Sequence, residues 1–334
     1  MGPRRVTLGD VAREAGVSST TVSYVINGRG PQMRIAPETE AKVRRAIVDL
    51  GFRPSHLARN LRTKQTKTIG VIADQVASGG YSSQLLLGAS TAAAEHGYLL
   101  MIAEGGTGDD LGWLVEEFHD RHVDFTLVAT VVTRELDLPP GLDPARTVFL
   151  NCVDPRRSVP AVLPDEYGAG ALAAETVLAA GVRGDVWVVG DHSIDSALAG
   201  PQRVAGLTDR LARDGIGRPG IVPCPWDVRE ARDAVGRWLA TEPSVRCIVA
   251  LNDRIAFGVY QALWDAGLGV PGDVSVISFD GSDLASWLRP SLTSVEIPYL
   301  EMGAAAVRVL LDPQHAKGAV HQIPMQLRAG SSVS

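Results

Sequence analysis

Five strand-like segments of the chain end in a short planar polar side chain, at Asp74, Asn151, Asp191, Asn252 and Asp280. Carboxylate and carboxamide groups form paired hydrogen bonds with neighbouring hydroxyls, and ligands of open α/β folds gather at the carboxyl ends of strands. Taken singly, each residue reads best as the cap of the helix that follows it; taken together, the set describes a crevice. A second group lies near the N-terminus. Ser19, Thr20, Thr21, Ser23, Tyr24 and Asn27 make a polar, uncharged face between basic flanks, which suits DNA contact and argues against a helical hairpin buried in a larger core.

Reaction chemistry finds no such footing. The stretch "GIGRPG", Gly215–Gly220, fits a dinucleotide pattern but follows a helix and precedes a strand, the reverse of what a phosphate loop needs. His119 and His122 are spaced to chelate, yet they close a charged helix without an obvious third ligand, so a solvated surface is the better reading. Ser, His and Asp residues occur without a nucleophile elbow. Cys152, Cys224 and Cys247 are far apart with no CxxC pair and read as buried free thiols. Neither catalysis, a metal nor a cofactor is expected.

Short helices must carry the N-terminal polar face. In "TLGDVAREAGVSSTTVSYVING", Leu8, Val11, Ala12 and Ala15 keep helical spacing, Gly16 breaks it, and Val22, Val25 and Ile26 resume it. Thr7 and Asp10 can cap the first helix reciprocally, Ser18 or Ser19 can cap the second, and Val17 fills the angle between them. This is a helix-turn-helix plan, whose second helix offers its N-terminal residues to base edges. Pro37, Glu38, Glu40 and the stop at Gly51 describe a third helix, while "SHLARNLR" is a linker too short to be helical unless held. Charge divides the chain at the same place. Residues 1–67 hold 13 Lys+Arg against 5 Asp+Glu, net +8, and residues 68–334 hold 19 against 33, net −14. A nucleic-acid-binding head on an acidic body follows.

Beyond Lys67, strand-like runs such as "TIGVIAD", "TVFLN", "VRCIVALND" and "DVSVISFD" alternate with amphipathic stretches, among them Gln84–His96, Tyr167–Ala180, Ala199–Asp214, Arg229–Ala240 and Arg254–Ala266. That alternation predicts βαβ units in two open parallel sheets. No apolar run reaches the roughly 18 residues that span a bilayer, and the basic N-terminus lacks an apolar secretory core, so a soluble cytoplasmic protein is expected.

The N-terminal stretch, "RIAPETEAKVRRAIVDLGFRPSHLARNLRTKQTKTIGVI" and "VPGDVSVISFDGSDLASWLRPSLTSV" together resemble the lactose-repressor/galactose-repressor family of bacterial transcription regulators, from Val6 to near Gly330. The resemblance implies a helix-turn-helix headpiece, a hinge helix and a core similar to periplasmic sugar-binding proteins. It assigns base reading to Ser19, Thr20 and Tyr24 within a DNA-contacting set that also holds Thr7, Ser18, Thr21, Ser23 and Asn27. A minor-groove wedge falls on Leu61, with Ala58 facing the same groove and Arg59 and Arg62 meeting phosphates. Effector contacts fall on Asp74, Tyr81, Asn151, Arg203, Trp226, Asn252 and Asp280. Arg203 sits in "RVAGL", matching the family's Arg-x-x-Gly motif, and is expected to oppose Asp280 as one of two polar arms; its fork and the Trp226 face suit a sugar, although core filling is the competing account of Trp226. Departures are Tyr24, where the family often has Arg, Ile297, where relatives often carry Gln, and a longer "NGRGPQMRIA".

The expected organisation is an all-α helix-turn-helix headpiece (1–51), a hinge helix and linker (52–67), and an α/β core of two doubly wound parallel-sheet lobes. The N-terminal lobe takes 68–163 and 294–323, and the C-terminal lobe takes 164–293 and 324–334. The expected function is an effector-responsive, sequence-specific DNA-binding transcriptional regulator, a repressor. Its homodimer meets a pseudo-palindromic double-stranded operator and senses a small molecule, a sugar, between the lobes. The alternatives are a sugar-binding transport protein, disfavoured by the basic head, and a sugar-modifying α/β enzyme, for which catalytic residues are lacking.

Overall fold

The computed structural model describes residues 6–52, 65–74, 76, 83–105, 111–191, 197–312, 314 and 318–334. The expected sites at Ala58, Arg59, Leu61, Arg62 and Tyr81 lie outside the described residues, as does the linker "SHLARNLR". The chain divides into two compact units, Met1–Thr66 and Lys67–Ser334.

The first unit holds three helices, α1 (Leu8–Ala15), α2 (Ser19–Ile26) and α3 (Pro37–Asp49). Thr7 and Asp10 close the expected capping box on α1, and Gly16 turns the corner with φ +67°, a backbone conformation that glycine adopts without penalty. Val11, Ala12, Val22, Val25, Val43, Ala46 and Phe52 meet in a small core, so each helix contributes one apolar face.

The second unit contains two six-stranded sheets. The first joins β1 (Thr68–Asp74), β2 (Leu99–Gly105), β3 (Phe125–Glu135), β4 (Thr147–Val153), β5 (Ala161–Pro164) and β11 (Val320–Ile323) in the order β11-β5-β4-β3-β1-β2. The second joins β6 (Val186–Val189), β7 (Gly220–Val222), β8 (Cys247–Ala250), β9 (Ser275–Asp280), β10 (Thr293–Glu296) and β12 (Gln326–Arg328) in the order β12-β10-β9-β8-β6-β7. Only the β10–β12 pair is antiparallel among the named pairings. Helices cover both faces, which explains why β4 and β8 are buried along their whole length. Against the first sheet lie α4 (Ser83–Glu95), α5 (Gly112–Asp120) and α11 (Tyr299–Leu311), and against the second α6 (Glu166–Ala179), α7 (Ala199–Arg213), α8 (Val228–Leu239), α9 (Asp253–Asp265) and the short α10 (Asp283–Trp287). Cys152, Cys224 and Cys247 are buried free thiols, and burial pushes Cys152 and Cys247 up to about 12.

The chain changes sheet after Pro164, Glu296 and Ile323. The return expected at 294 is therefore corrected: Thr293, Ser294 and Val295 are buried in register beside Ile277, Ser278 and Phe279, which keeps β10 in the second sheet. A further link between the sheets escaped sequence reading. Beyond a register shift after Ala129, β3 runs on toward the second sheet: the Leu198 amide donates to the Thr133 carbonyl at 2.8 Å, and Arg134 forms a bridge with Ala197.

Candidate functional site

In the headpiece, the Ser18 hydroxyl accepts from the Thr21 amide at 3.1 Å and starts α2. Thr7 and Ser18 thus have local roles as caps, and Thr21 as the partner of the Ser18 hydroxyl, beside any contact with DNA. Ser19 and Thr20 lie exposed on the first turn of α2, Ser23 and Tyr24 are half-buried on the next, and the Asn27 side chain donates to the Ser23 carbonyl at 2.6 Å. A helix that is buried at Val22 and Val25 and hydroxyl-rich on the other side can lie in a groove and present donors and acceptors to base edges.

In the core, the strand-end residues divide by what their side chains do. Asn252 is a helix cap, its carboxamide oxygen accepting from the Ile255 amide at 2.8 Å. Asn151 is not: its Nδ2 donates to the Thr130 carbonyl at 2.9 Å and its Oδ1 accepts from the Thr133 hydroxyl at 2.8 Å, with φ at +61°. Asp280 also has a left-handed backbone, φ +105°, and faces Arg203 instead of a helix end. Such conformations cost about 1–3 kcal/mol in a non-glycine residue and cluster at ligand sites. Asp74 forms an ion pair with Arg134. At Asp191 the backbone carbonyl receives the Trp226 indole N–H at 2.8 Å.

Arg203, on α7, is 2% exposed, and its surroundings correct one expectation. Its Nε and one terminal nitrogen donate to the two oxygens of Glu166 at 2.6 and 3.2 Å, and the other terminal nitrogen donates to the Leu251 carbonyl at 2.6 Å. Asp280 lies 3.6 Å from that same nitrogen, so the two residues pair with each other and do not stand as opposed arms. The guanidinium stacks 4.7 Å from the Phe279 ring centre and 5.9 Å from that of Trp226. Burial works against the Arg203 charge, but Glu166 and Asp280 hold its pKa above the ordinary value. Burial also pushes the Asp280 carboxyl up, from 3.8 to about 8, despite the guanidinium beside it, with Asp253 and Glu166 adding repulsion.

Two carboxylates central to this cluster were not singled out from the sequence. Glu166, at the start of α6, accepts from Arg203 and from the Thr133 hydroxyl, the latter at 2.8 Å. Asp253 accepts from the hydroxyls of Ser278, Ser282 and Ser294 at 2.5, 2.7 and 2.7 Å, tying β9, β10 and the loop between them to α9. A signal existed for Asp253, which directly follows a strand-end asparagine. Glu166 had none, since a glutamate in a first helical turn is ordinary.

One set of contacts therefore connects Asn151, Thr133, Glu166, Arg203, Asp280 and Trp226, with Asn252 next to Leu251 and Asp74 joined through Arg134. Its surroundings on the chain match known proteins. Residues 7–55 fit the model for bacterial regulatory proteins of the lacI family, and residues 171–333 fit a periplasmic binding protein-like domain. The HTH-type transcriptional regulator AscG of Escherichia coli (strain K12) is 32% identical over 302 residues, spanning 89% of this chain and 88% of that one. This chain belongs to the lacI family.

As a lacI-family member it is a DNA-binding regulator of transcription and not an enzyme. A crystal structure of the lac repressor dimer bound to operator and an anti-inducer has the same fold, with TM-score 0.82 over 99% of both chains at 23% identity. A complex of the transcriptional regulator CelR with cellobiose covers 98% of this chain and 100% of its own, with TM-score 0.68 and 25% identity. The family's headpiece model ends at residue 55, close to the division between the two compact units. No helix among the described residues is long and apolar enough to cross a membrane.

Proposed function

We propose that this regulator is a cytoplasmic repressor whose homodimer binds a pseudo-palindromic operator and whose core senses a sugar between its two sheets. The observation that carries the reading is the contact network joining Asn151 and Thr133 of the first sheet to Glu166, Arg203, Asp280 and Trp226 of the second lobe, with Asp74 paired to Arg134, the chain neighbour of Thr133, and Asn252 following Leu251, whose carbonyl Arg203 holds. Among relatives, CelR was solved with cellobiose and the lac repressor as a dimer on operator, which supports both partners. Ser19, Thr20 and Tyr24 read bases in this proposal, and Leu61 wedges the minor groove beside Ala58 and Arg59. An effector that prefers one setting of the lobes shifts the population competent for DNA by its difference in affinity.

The test uses the full chain. Genomic fragments retained by the protein define an operator, and sugars are then scored for release of that fragment and for thermal stabilisation. Thr20→Ala and Tyr24→Ala are expected to weaken operator binding by about 1–3 kcal/mol each while leaving sugar stabilisation intact. Retention of the operator by both variants, or release by no sugar, overturns the corresponding half of the proposal.

A further inference from the structure

Arg203 is the only buried Lys or Arg among the described residues. Its charge is already answered: Glu166 takes two of its nitrogens at 2.6 and 3.2 Å, and Asp280 lies 3.6 Å from the third. Asp253, itself buried, adds a further negative group that acts on Asp280. One guanidinium thus answers two carboxyl groups, and a third lies close enough to repel one of them. On the first sheet Arg134 is ion-paired with Asp74, and its buried Nε, a single donor, has no hydrogen-bond partner among the described residues. Arg254 faces Asp227 at 3.5 Å, and Arg328 donates to the Gly281 and Ser282 carbonyls at 2.8 and 3.2 Å.

An anion leaving water for such a site must find an unneutralised cation or a dense set of donors, or its desolvation goes unopposed. We infer that Glu166 sets the ligand class: by occupying the guanidinium that would otherwise receive an anion, it makes the site select uncharged or cationic ligands, such as neutral sugars and amino sugars, and exclude phosphorylated sugars and sugar acids. The inference rests on reading this cluster as the effector site. Burial that pushes Asp280 up to about 8 is consistent with it, because the cluster holds more carboxylate than its one cation keeps charged. Glu166 acts through Arg203 and is a specificity-determining residue in this sense.

The probe is inorganic phosphate, titrated calorimetrically into the full-length protein and its Glu166→Gln variant. Both carry the same basic headpiece, so phosphate held there cancels and the difference reports the core. The variant is expected to bind phosphate at least tenfold more tightly, and Asp280→Asn to shift in the same direction by less. In parallel, glucose, glucosamine, glucose 6-phosphate and gluconate are compared on the unaltered protein and on both variants. The unaltered core is expected to respond to the first two in preference to the last two. A phosphate affinity unchanged in folded Glu166→Gln, or unchanged in Asp280→Asn where Glu166→Gln does not fold, overturns the inference. So does stronger binding of the sugar phosphate or acid than of the parent sugar by the unaltered core. If no parent sugar binds, the sugar reading fails, and the phosphate comparison still decides the charge claim.

Discussion

Arg203 illustrates how far a residue's partners lie beyond its own sequence neighbourhood. A fully buried guanidinium needs its donors answered inside the protein, and Glu166, Leu251 and Asp280 answer them. The titration of Asp280 then follows first from its burial, which the guanidinium opposes and the neighbouring Asp253 and Glu166 reinforce. Its pKa rises from 3.8 to about 8 on folding, so the folded chain binds this proton more tightly than the unfolded chain does. The resulting stability is complete below the unfolded value and is lost as pH rises through about 8. Asp280→Asn fixes the neutral form, so its stability is expected to depend less on pH between pH 5 and 9 and to exceed that of the unaltered protein at the alkaline end. Equal slopes of unfolding temperature against pH would show that Asp280 does not carry the linkage.

At the scale of elements, most of the architecture was legible. Gln84–His96, Tyr167–Ala180, Ala199–Asp214, Arg229–Ala240 and Arg254–Ala266 each fall within one residue of an observed helix at both ends, because periodicity and caps mark these boundaries. Of the expected strand ends, Asp74 and Asp280 close β1 and β9, Asp191 and Asn252 follow β6 and β8 by two residues, and Asn151 lies inside β4, which runs on to Val153; the capping account holds for Asn252 alone among those with a described side-chain role. Hidden from sequence were the pairings made across the fold: Glu166 with Arg203, Asp253 with its serines, and β3 with the segment at Ala197. Spacing within one segment carries no information about a partner 37 residues away, as Glu166 is from Arg203. The α6–α7 crossing positions that pair, and it depends on the absence of a side chain at Gly206, where a Cβ would lie 1.9 Å from the Tyr167 carbonyl oxygen. Helix propensity alone favours Gly206→Ala by about 1 kcal/mol, whereas overpacking costs about 1–3 kcal/mol. With rigid backbone as the obstacle, packing is expected to win, giving a lower unfolding temperature and a weakened sugar response; a stabilised variant would show that the helices separate without penalty.

The molecule as a whole combines a basic unit of a DNA-binding family with an acidic unit built from two sheets, and under the proposed function the second must change state without coming apart. Three chain crossings hold its sheets together, and the β3 extension adds a fourth connection that ends on the polar cluster. Thr133 is the residue where the two meet. Its hydroxyl lies 2.8 Å from Asn151 Oδ1 on the first sheet and 2.8 Å from Glu166 Oε1 at the start of the second lobe. One hydroxyl carries one hydrogen, so it satisfies one of these acceptors at a time, and the choice couples a first-sheet carboxamide to the carboxylate that holds Arg203. Thr133→Val keeps the shape and removes the donor, leaving a buried acceptor unanswered at a cost of about 1–3 kcal/mol. The Leu198 amide, which donates to the Thr133 carbonyl at 2.8 Å, is then expected to exchange its hydrogen faster, and Thr133→Ser to restore protection. Unchanged exchange at Leu198 in the valine variant would mean that backbone pairing alone holds the strap and that the hydroxyl transmits nothing between the sheets.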